Sequence, residues 1–413
     1  MIGFDFDSSP STCDGVSVAE IVAKVGTPVY ICSAGLLRAS YRALDEAFAS
    51  YPHTIHYALK ANSTLALLRV LRSLGAHADA NSGGEIDVAL RAGFVPGQIV
   101  FTGVGKTRDE LTRAVGLGVK AVNVESAGEA ARLDEIAQAL GRRARVAVRV
   151  NPDIDPHTHA HISTGRRADK FGIPLEHVPE LLRDLAARPG LLPVGVHVHL
   201  GSQLLEMGPL GDAARVLVGI TREARDVGIR LEHIDLGGGL GIAYDGGTPP
   251  SPDDYASAVL PAIRDTGVHL LLEPGRYLSA PAGILVGRVT DIKAYPDSPR
   301  FVILDTGMTE LIRPMLYGAF HRISAVAPRP GPEAVCEVVG PLCETSDTLG
   351  HERQLGPVEV GDAIAVFDTG AYGIVMASNY NRRPMGAEVM VDDGAWRVVR
   401  RRQSVDDLLA LEE

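Results

Sequence analysis

Between Thr54 and Pro274 the chain alternates short apolar, β-branched runs with longer stretches in which apolar residues return every three or four positions. The runs are Thr54 to Leu59, His77 to Ala80, Ile99 to Thr102, Ala121 to Val124, Val146 to Val150, Val194 to Leu200, His233 to Leu236 and His269 to Leu272. Short runs of this kind fit strands buried on both faces, and their alternation with helical spacing predicts parallel strands joined by crossover helices. Three helical faces stand out: Leu67, Val70, Leu71 and Leu74; Leu133, Ile136, Ala137 and Leu140; Val178, Leu181, Leu182 and Leu185.

Eight strand-helix units in roughly 230 residues have the size of a (β/α)8 TIM barrel, whereas a doubly wound sheet usually has fewer strands. The connection from Asn151 to Gly172 is longer than usual and is a candidate active-site loop. Beyond Ser279 the pattern changes to strands without helices between them: Ile284 to Val289, Phe301 to Leu304, Val335 to Val339, Ala363 to Phe367, Glu388 to Val391 and Arg397 to Arg400. These predict a mostly antiparallel β domain of sandwich or barrel type. Asp393-Gly394 between the last two is a hairpin signal, and Ser404 with Asp407 forms a capping box before a short final helix. The early run Pro28 to Cys32 is expected to return to this β domain. The expected division is thus an α/β barrel over residues 33–280 and a β domain built from residues 1–32 and 281–413.

A chain of 413 residues with 46% hydrophobic and 22% charged residues has ample core for two such domains. Lys and Arg number 40 against 51 acidic residues, a net charge of −11, which disfavours nucleic acid and anionic membranes and favours a small-molecule partner. Cys13, Cys32, Cys336 and Cys343 have neither metal spacing nor the density of a disulfide scaffold. The first residues lack a basic start followed by an apolar run, and no apolar run reaches a membrane span, so a cytoplasmic location is expected.

In a barrel the chemistry collects at the C-terminal strand ends. Applied here, that rule gathers Lys60, Asp79, Arg149, Asn151, His197, His199, Ser202, Gly237 to Gly239, Glu273, Gly275 and Arg276 at one mouth. A lysine closing a buried strand is desolvated, which favours a neutral, nucleophilic amine suited to Schiff-base chemistry, although a lysine there can also simply snorkel to water. Gly237 to Gly239 leaves backbone amides free to approach an anion, and a helix following it would present its positive end; the same glycines can make no more than a tight turn. The run is neither a dinucleotide fingerprint nor, at Gly105-Lys106-Thr107, a P-loop, because the required glycines are absent at Ile242 and Val100. His197 with His199, and His157, His159 and His161, could in principle bind metal, but nothing completes either ligand set, so no metal is expected. Ring stacking suits His199, and plain packing suits His197.

With Tyr57-Ala58-Leu59-Lys60-Ala61-Asn62, HVHLGSQ, DLGGGLGI and EPGRY, the sequence resembles the fold-type III pyridoxal-phosphate decarboxylases, and most closely the branch that acts on diaminopimelate. The likeness runs through nearly the whole chain, including SGGEIDVALRAGF, LIRPMLYGAFH, GPLCETSDTL and GAYG. It implies pyridoxal 5'-phosphate carried by Lys60 as a Schiff base, His199 stacked on its ring, and Asp79 among its contacts. It places Ser202, Gly237, Gly238, Gly239, Gly275, Arg276 and Tyr372 around the phosphate, and Glu273 at the pyridine nitrogen. A carboxylate there keeps the nitrogen protonated, whereas Glu273 could otherwise be paired with a neighbouring arginine.

The resemblance further implies Arg276, Arg313, Tyr317, Glu344 and Tyr372 as substrate contacts and Cys343 as the catalytic proton donor. Cys343 and Glu344 would reach into the partner of a homodimer. Ala80-Asn81, Thr306 and the HTHAHI stretch depart from the usual pattern without removing any of these residues.

The function expected is decarboxylation of meso-2,6-diaminopimelate to L-lysine and CO2, as the last step of lysine biosynthesis. Two rivals are decarboxylation of another amino acid, such as ornithine, lysine, arginine or a carrier-bound one, and a metal-dependent barrel hydrolase. A relative that has lost catalysis is a third, against which Lys60 and Cys343 speak.

Overall fold

The structure is a computed structural model that describes residues 2–155, 165 and 169–412. Most of the candidate loop from Asn151 to Gly172, with His157, His159 and His161, lies outside the described residues. The chain divides into two compact units: residues 40–242 with 249–277, and residues up to Ala39 with 243–248 and from Leu278 onward.

The first unit is the barrel. Its strands are His53–Ala58, His77–Ala80, Ile99–Phe101, Ala121–Val124, Ala144–Asn151, Leu191–His197, His233–Asp235 and His269–Leu272. Each pairs in parallel with the next, and Leu270 opposite His53 closes the ring between the eighth and the first. All eight expected runs are therefore strands. The sixth begins earlier, at Leu191, and ends at His197, so His199 sits in the loop beyond it rather than in the strand.

Helix starts follow the local chemistry. Ser82, Thr107, Ser126 and Ser251 each accept the amide of the third helical residue, which satisfies an otherwise orphan donor. The apolar faces of helices Leu65–Ser73 and Val178–Ala187 are buried as the spacing predicts. Leu140 is an exception: it caps helix Ala127–Ala139 and is 42% exposed, because the helix has turned away from the core by that position.

In the second unit the strand Gly283–Lys293 is central. It pairs antiparallel with Val29–Ser33, Phe301–Leu304 and Ala363–Val366. Two ladders are parallel, Phe301–Leu304 with Ala334–Val339 and Val29–Ser33 with Ala387–Asp392, so the sheet is mixed, with antiparallel pairs in the majority. Val29–Ser33 thus lies between Gly283–Lys293 and Ala387–Asp392. Asp393 and Gly394 turn the last hairpin with positive φ of 49° and 74°. The pattern reading missed Ile323–Ala325, the edge strand Thr348–Leu355, and the small three-stranded sheet of Phe4–Asp5, Thr12–Cys13 and Val16–Ser17.

Close packing inside the barrel makes one glycine indispensable. A methyl on Gly195, in the sixth strand, would meet the imidazole ring of buried His233 on the seventh closer than real side chains approach. Gly195→Ala is expected to lower stability by about 1–3 kcal/mol, read from urea midpoints, and trimming the ring in a Gly195→Ala/His233→Ala pair should show non-additive relief.

Candidate active site

The barrel strands end in a ring of charged and polar side chains. Lys60 follows the first strand in the short 3-10 turn Leu59–Ala61 and is half-buried, and its charge acts on Asp79, Glu85, His199 and Glu273. Asp79, in the second strand, is buried and accepts from Asn81 Nδ2 at 3.1 and 3.3 Å. Burial, then the neighbouring Glu273, raises its pKa to about 7, against the pull of Lys60 and a bond from Thr102.

Glu273 follows the eighth strand. Its Oε2 accepts from His197 Nε2 at 3.1 Å, with the two side chains 2% and 0% exposed. Burial opposes ionisation of Glu273 but is outweighed by His197 and Lys60, which hold the carboxyl well below the usual range. His197 is therefore more than packing, and the partner of Glu273 is this histidine rather than an arginine.

His199 accepts the Gly238 amide at Nδ1 over 3.1 Å, which fixes the ring proton, when there is one, on Nε2. Burial and the charges of Lys60 and Arg149 push its pKa well below the ordinary value, so the ring is a neutral plane at physiological pH.

The glycine turn differs from expectation in two ways. Gly237 donates to Asp235 Oδ1 at 2.9 Å and Gly238 to His199, so two of its three amides are already engaged. The next helix starts only at Pro252, which removes the expected helix end from this turn. The glycines answer instead to crowding. A methyl at Gly237 would press on the Val198 carbonyl, at Gly238 on the Glu273 carbonyl, and at Gly239 on Leu204, and Gly237 and Gly239 have positive φ. Beside the turn, Arg276 donates from Nε and Nη2 to Ser202 Oγ at 3.1 and 3.0 Å, and Gly275 immediately precedes it.

Two buried ion pairs at the strand ends went unrecognised in the sequence. Arg149 meets Glu125 at 2.6 Å and covers the Phe171 ring at 4.6 Å, while Glu125 also accepts the Gly172 amide at 2.8 Å. Lys106 meets Glu129 at 2.9 Å and donates to the Gly103 and Asn123 carbonyls at 2.6 and 2.8 Å, using all three of its protons. Asp235, given no role in the sequence reading, is fully buried next to Glu273. An acid inside the apolar run His233 to Leu236 was the available signal. The metal-competent set that converges is His197, Asp235 and Glu273, whose ligand atoms lie within 4.8 Å of one another; His199 is not part of it.

The other expected residues belong to the second unit. Arg313 is buried, donates from Nη1 to His321 Nε2 at 2.7 Å and covers the Tyr244 ring at 4.4 Å. Tyr317 ends the same short helix, Arg313–Tyr317. Cys343 and Glu344 are exposed, and Glu344 accepts from Tyr380 Oη at 2.7 Å. Tyr372 is half-buried with a positive φ of 56°.

The family model described as "Pyridoxal-dependent decarboxylase, pyridoxal binding domain" matches residues 34–280. The chain belongs to the pyridoxal-dependent decarboxylases. Over 98% of its length it is 42% identical to the diaminopimelate decarboxylase of Pseudomonas aeruginosa, 98% of which is covered. Among solved structures it resembles the diaminopimelate decarboxylase of Helicobacter pylori complexed with L-lysine, with 40% identity, a TM-score of 0.92, and coverage of 95% of this chain and 98% of that one. The enzyme from M. jannaschii in co-complex with L-lysine gives 36% identity and a TM-score of 0.94, covering 100% and 99%. No helix among the described residues of this decarboxylase is long and apolar enough to cross a membrane.

Two expectations follow for the cofactor-free protein. Unfolded, Asp79 ionises near about 3.9, and folded only near about 7. Between these values the native state binds more protons, so stability falls as pH rises, and Asp79→Asn should flatten that part of a urea-midpoint profile. Arg149→Met strands the Glu125 charge and should cost about 3–5 kcal/mol, whereas Arg149→Met/Glu125→Met should cost much less in the same denaturation measurement.

Proposed function

We propose that this decarboxylase removes CO2 from meso-2,6-diaminopimelate to give L-lysine, the last step of lysine biosynthesis, with pyridoxal 5'-phosphate attached at Lys60. The single observation that carries the cofactor assignment is the buried Glu273 carboxylate, held ionised, with Oε1 lacking any partner among the described residues. Such an atom suits a protonated ring nitrogen. The neutral plane of His199 and the glycine turn, where no side chain fits, suit the ring and phosphate beside it.

Bound there, the cofactor supplies a protonated heteroaromatic ring that takes up the electron pair left by departing CO2. The protein's own residues do the rest. Lys60 provides the amine, with Asp79 and Glu273 setting the charge around it. His199 offers a face that does not compete for the proton. Ser202, the Gly237, Gly238 and Gly239 turn, Gly275 and Arg276 hold the phosphate, with the turn's third amide the one not used by His199 and Asp235. Tyr372 joins them on sequence likeness.

Substrate selection follows from charge. The end of diaminopimelate that does not react carries both a carboxylate and an ammonium group, which calls for an arginine fork and an acid. Arg276, Arg313, Tyr317 and Tyr372 are assigned to the substrate and its carboxylate, Glu344 to the distal ammonium, and Cys343 to returning a proton to the carbon that loses CO2. Exposure of Cys343 and Glu344, together with the exposed apolar Met315, Leu316 and Phe320, supports a homodimer in which Cys343 and Glu344 serve the partner's site; the cytoplasmic location rests on the sequence expectation alone.

Borohydride should fix the cofactor to the Lys60 peptide, and Lys60→Ala should abolish both the attachment and CO2 release. Cys343→Ala should lower turnover about 100- to 10000-fold with cofactor absorbance kept. Mixing the two inactive variants should restore activity, because a hybrid dimer has one intact site. Faster turnover of ornithine, lysine or arginine than of diaminopimelate would overturn the substrate assignment.

A further inference from the structure

Asp235 ends the seventh barrel strand and is fully buried. Its Oδ1 accepts the Gly237 amide at 2.9 Å, while Oδ2 has no partner among the described residues. Glu273, at the end of the neighbouring eighth strand, has one oxygen on His197 and the other likewise without a partner. An oxygen of each carboxyl lies within 4.8 Å of the other and of a ring nitrogen of His197. Two ionised carboxylates cannot share a buried site with one imidazole, because their repulsion adds to the desolvation of both. A proton on one of them removes the repulsion and supplies a donor, and because a carboxylate oxygen has two lone pairs, Glu273 Oε1 still has one to offer a ring nitrogen.

The surroundings decide which one carries it. Glu273 has His197 Nε2 at 3.1 Å and the charge of Lys60. Asp235 has a single backbone amide. We propose that Asp235 is a positioning residue that stays protonated and donates from Oδ2 to Glu273, so that this pair carries one negative charge, fixed on Glu273. The proposal extends the cofactor reading above, since that charge is what a ring nitrogen needs.

The other groups acting on the pair are consistent with it. Asp79 from the second strand and Tyr255 from helix Pro252–Ile263 bring negative or neutral groups, and Lys120, ahead of the fourth strand, brings a cation toward Asp235. Burial and then Glu273 push the Asp235 pKa well above the ordinary carboxyl range, while that of Glu273 is lowered. With Asp235 neutral, the trio with His197 also loses the second negative charge that would favour a divalent cation.

Infrared spectroscopy separates these states without relying on turnover. At about pH 9, roughly two units above the Asp79 transition near about 7, wild-type protein, both cofactor-free and cofactor-loaded, should show a protonated-carboxyl C=O band that disappears in Asp235→Asn and persists in an Asp79→Asn control. Asn can still accept from Gly237 and donate to Glu273, so Asp235→Asn should bind pyridoxal phosphate with near wild-type affinity. Asp235→Ala should bind it about 10- to 100-fold more weakly. The proposal is overturned if wild type lacks the band, if the band survives Asp235→Asn, if Asp235→Asn binds the cofactor as weakly as Asp235→Ala, or if the purified protein carries stoichiometric zinc on these residues. Failure of the wild type to take up pyridoxal phosphate would sink the cofactor reading instead, and the infrared result on cofactor-free protein would still decide the protonation of Asp235.

Discussion

Keeping an ionised carboxylate dry is the constraint on which the barrel mouth depends. Glu273 has been taken out of water, a cost of several kcal/mol for a lone charge, and it is retained because His197 faces it and the charge of Lys60 acts on it. Those partners come from the ends of the sixth and first strands. The parallel register that sets His197 opposite Asp235 across the sixth and seventh strands therefore sets the electrostatics as well. The crowded glycines belong to the same constraint, because the Gly237 carbonyl accepts the Glu273 amide at 2.7 Å and a side chain at Gly238 would push that backbone away.

Much of this was legible in the chain. Strands buried on both faces have no need of polar residues, so the runs around Ala121 to Val124 and His269 to Leu272 stand out, and any ionisable residue at their ends marks the mouth. Lys60, Asp79, His199 and Glu273 were found that way. Asp235 was not, because it lies inside the run His233 to Leu236 rather than at its end, and only the barrel's closure places it beside Glu273. The pairs Lys106 with Glu129 and Arg149 with Glu125 were hidden for a related reason. Their members are 23 and 24 residues apart on different elements, and nothing in the spacing announces that they meet.

In the β unit the losses were of another kind. Thr348–Leu355 carries His351, Glu352 and Arg353 in its middle because it is an edge strand with a solvated face. Charge at an edge discourages pairing with other chains but erases the apolar alternation that a pattern reading needs. Ile323–Ala325 is simply too short to register. The helix end expected behind Gly239 failed because the chain leaves the barrel unit there, at residues 243–248, before helix Pro252–Ile263 begins.

The position of Val29–Ser33 bears on how the molecule is made. This strand leaves the ribosome early, yet both of its neighbours, Gly283–Lys293 and Ala387–Asp392, are translated hundreds of residues later. Until then its edges are open, so the nascent chain must shield an apolar β segment while the barrel strands emerge and pair. Contacts so distant in sequence are slow to form, which makes completion of this sheet, rather than closure of the barrel, the step at which synthesis is most exposed to aggregation.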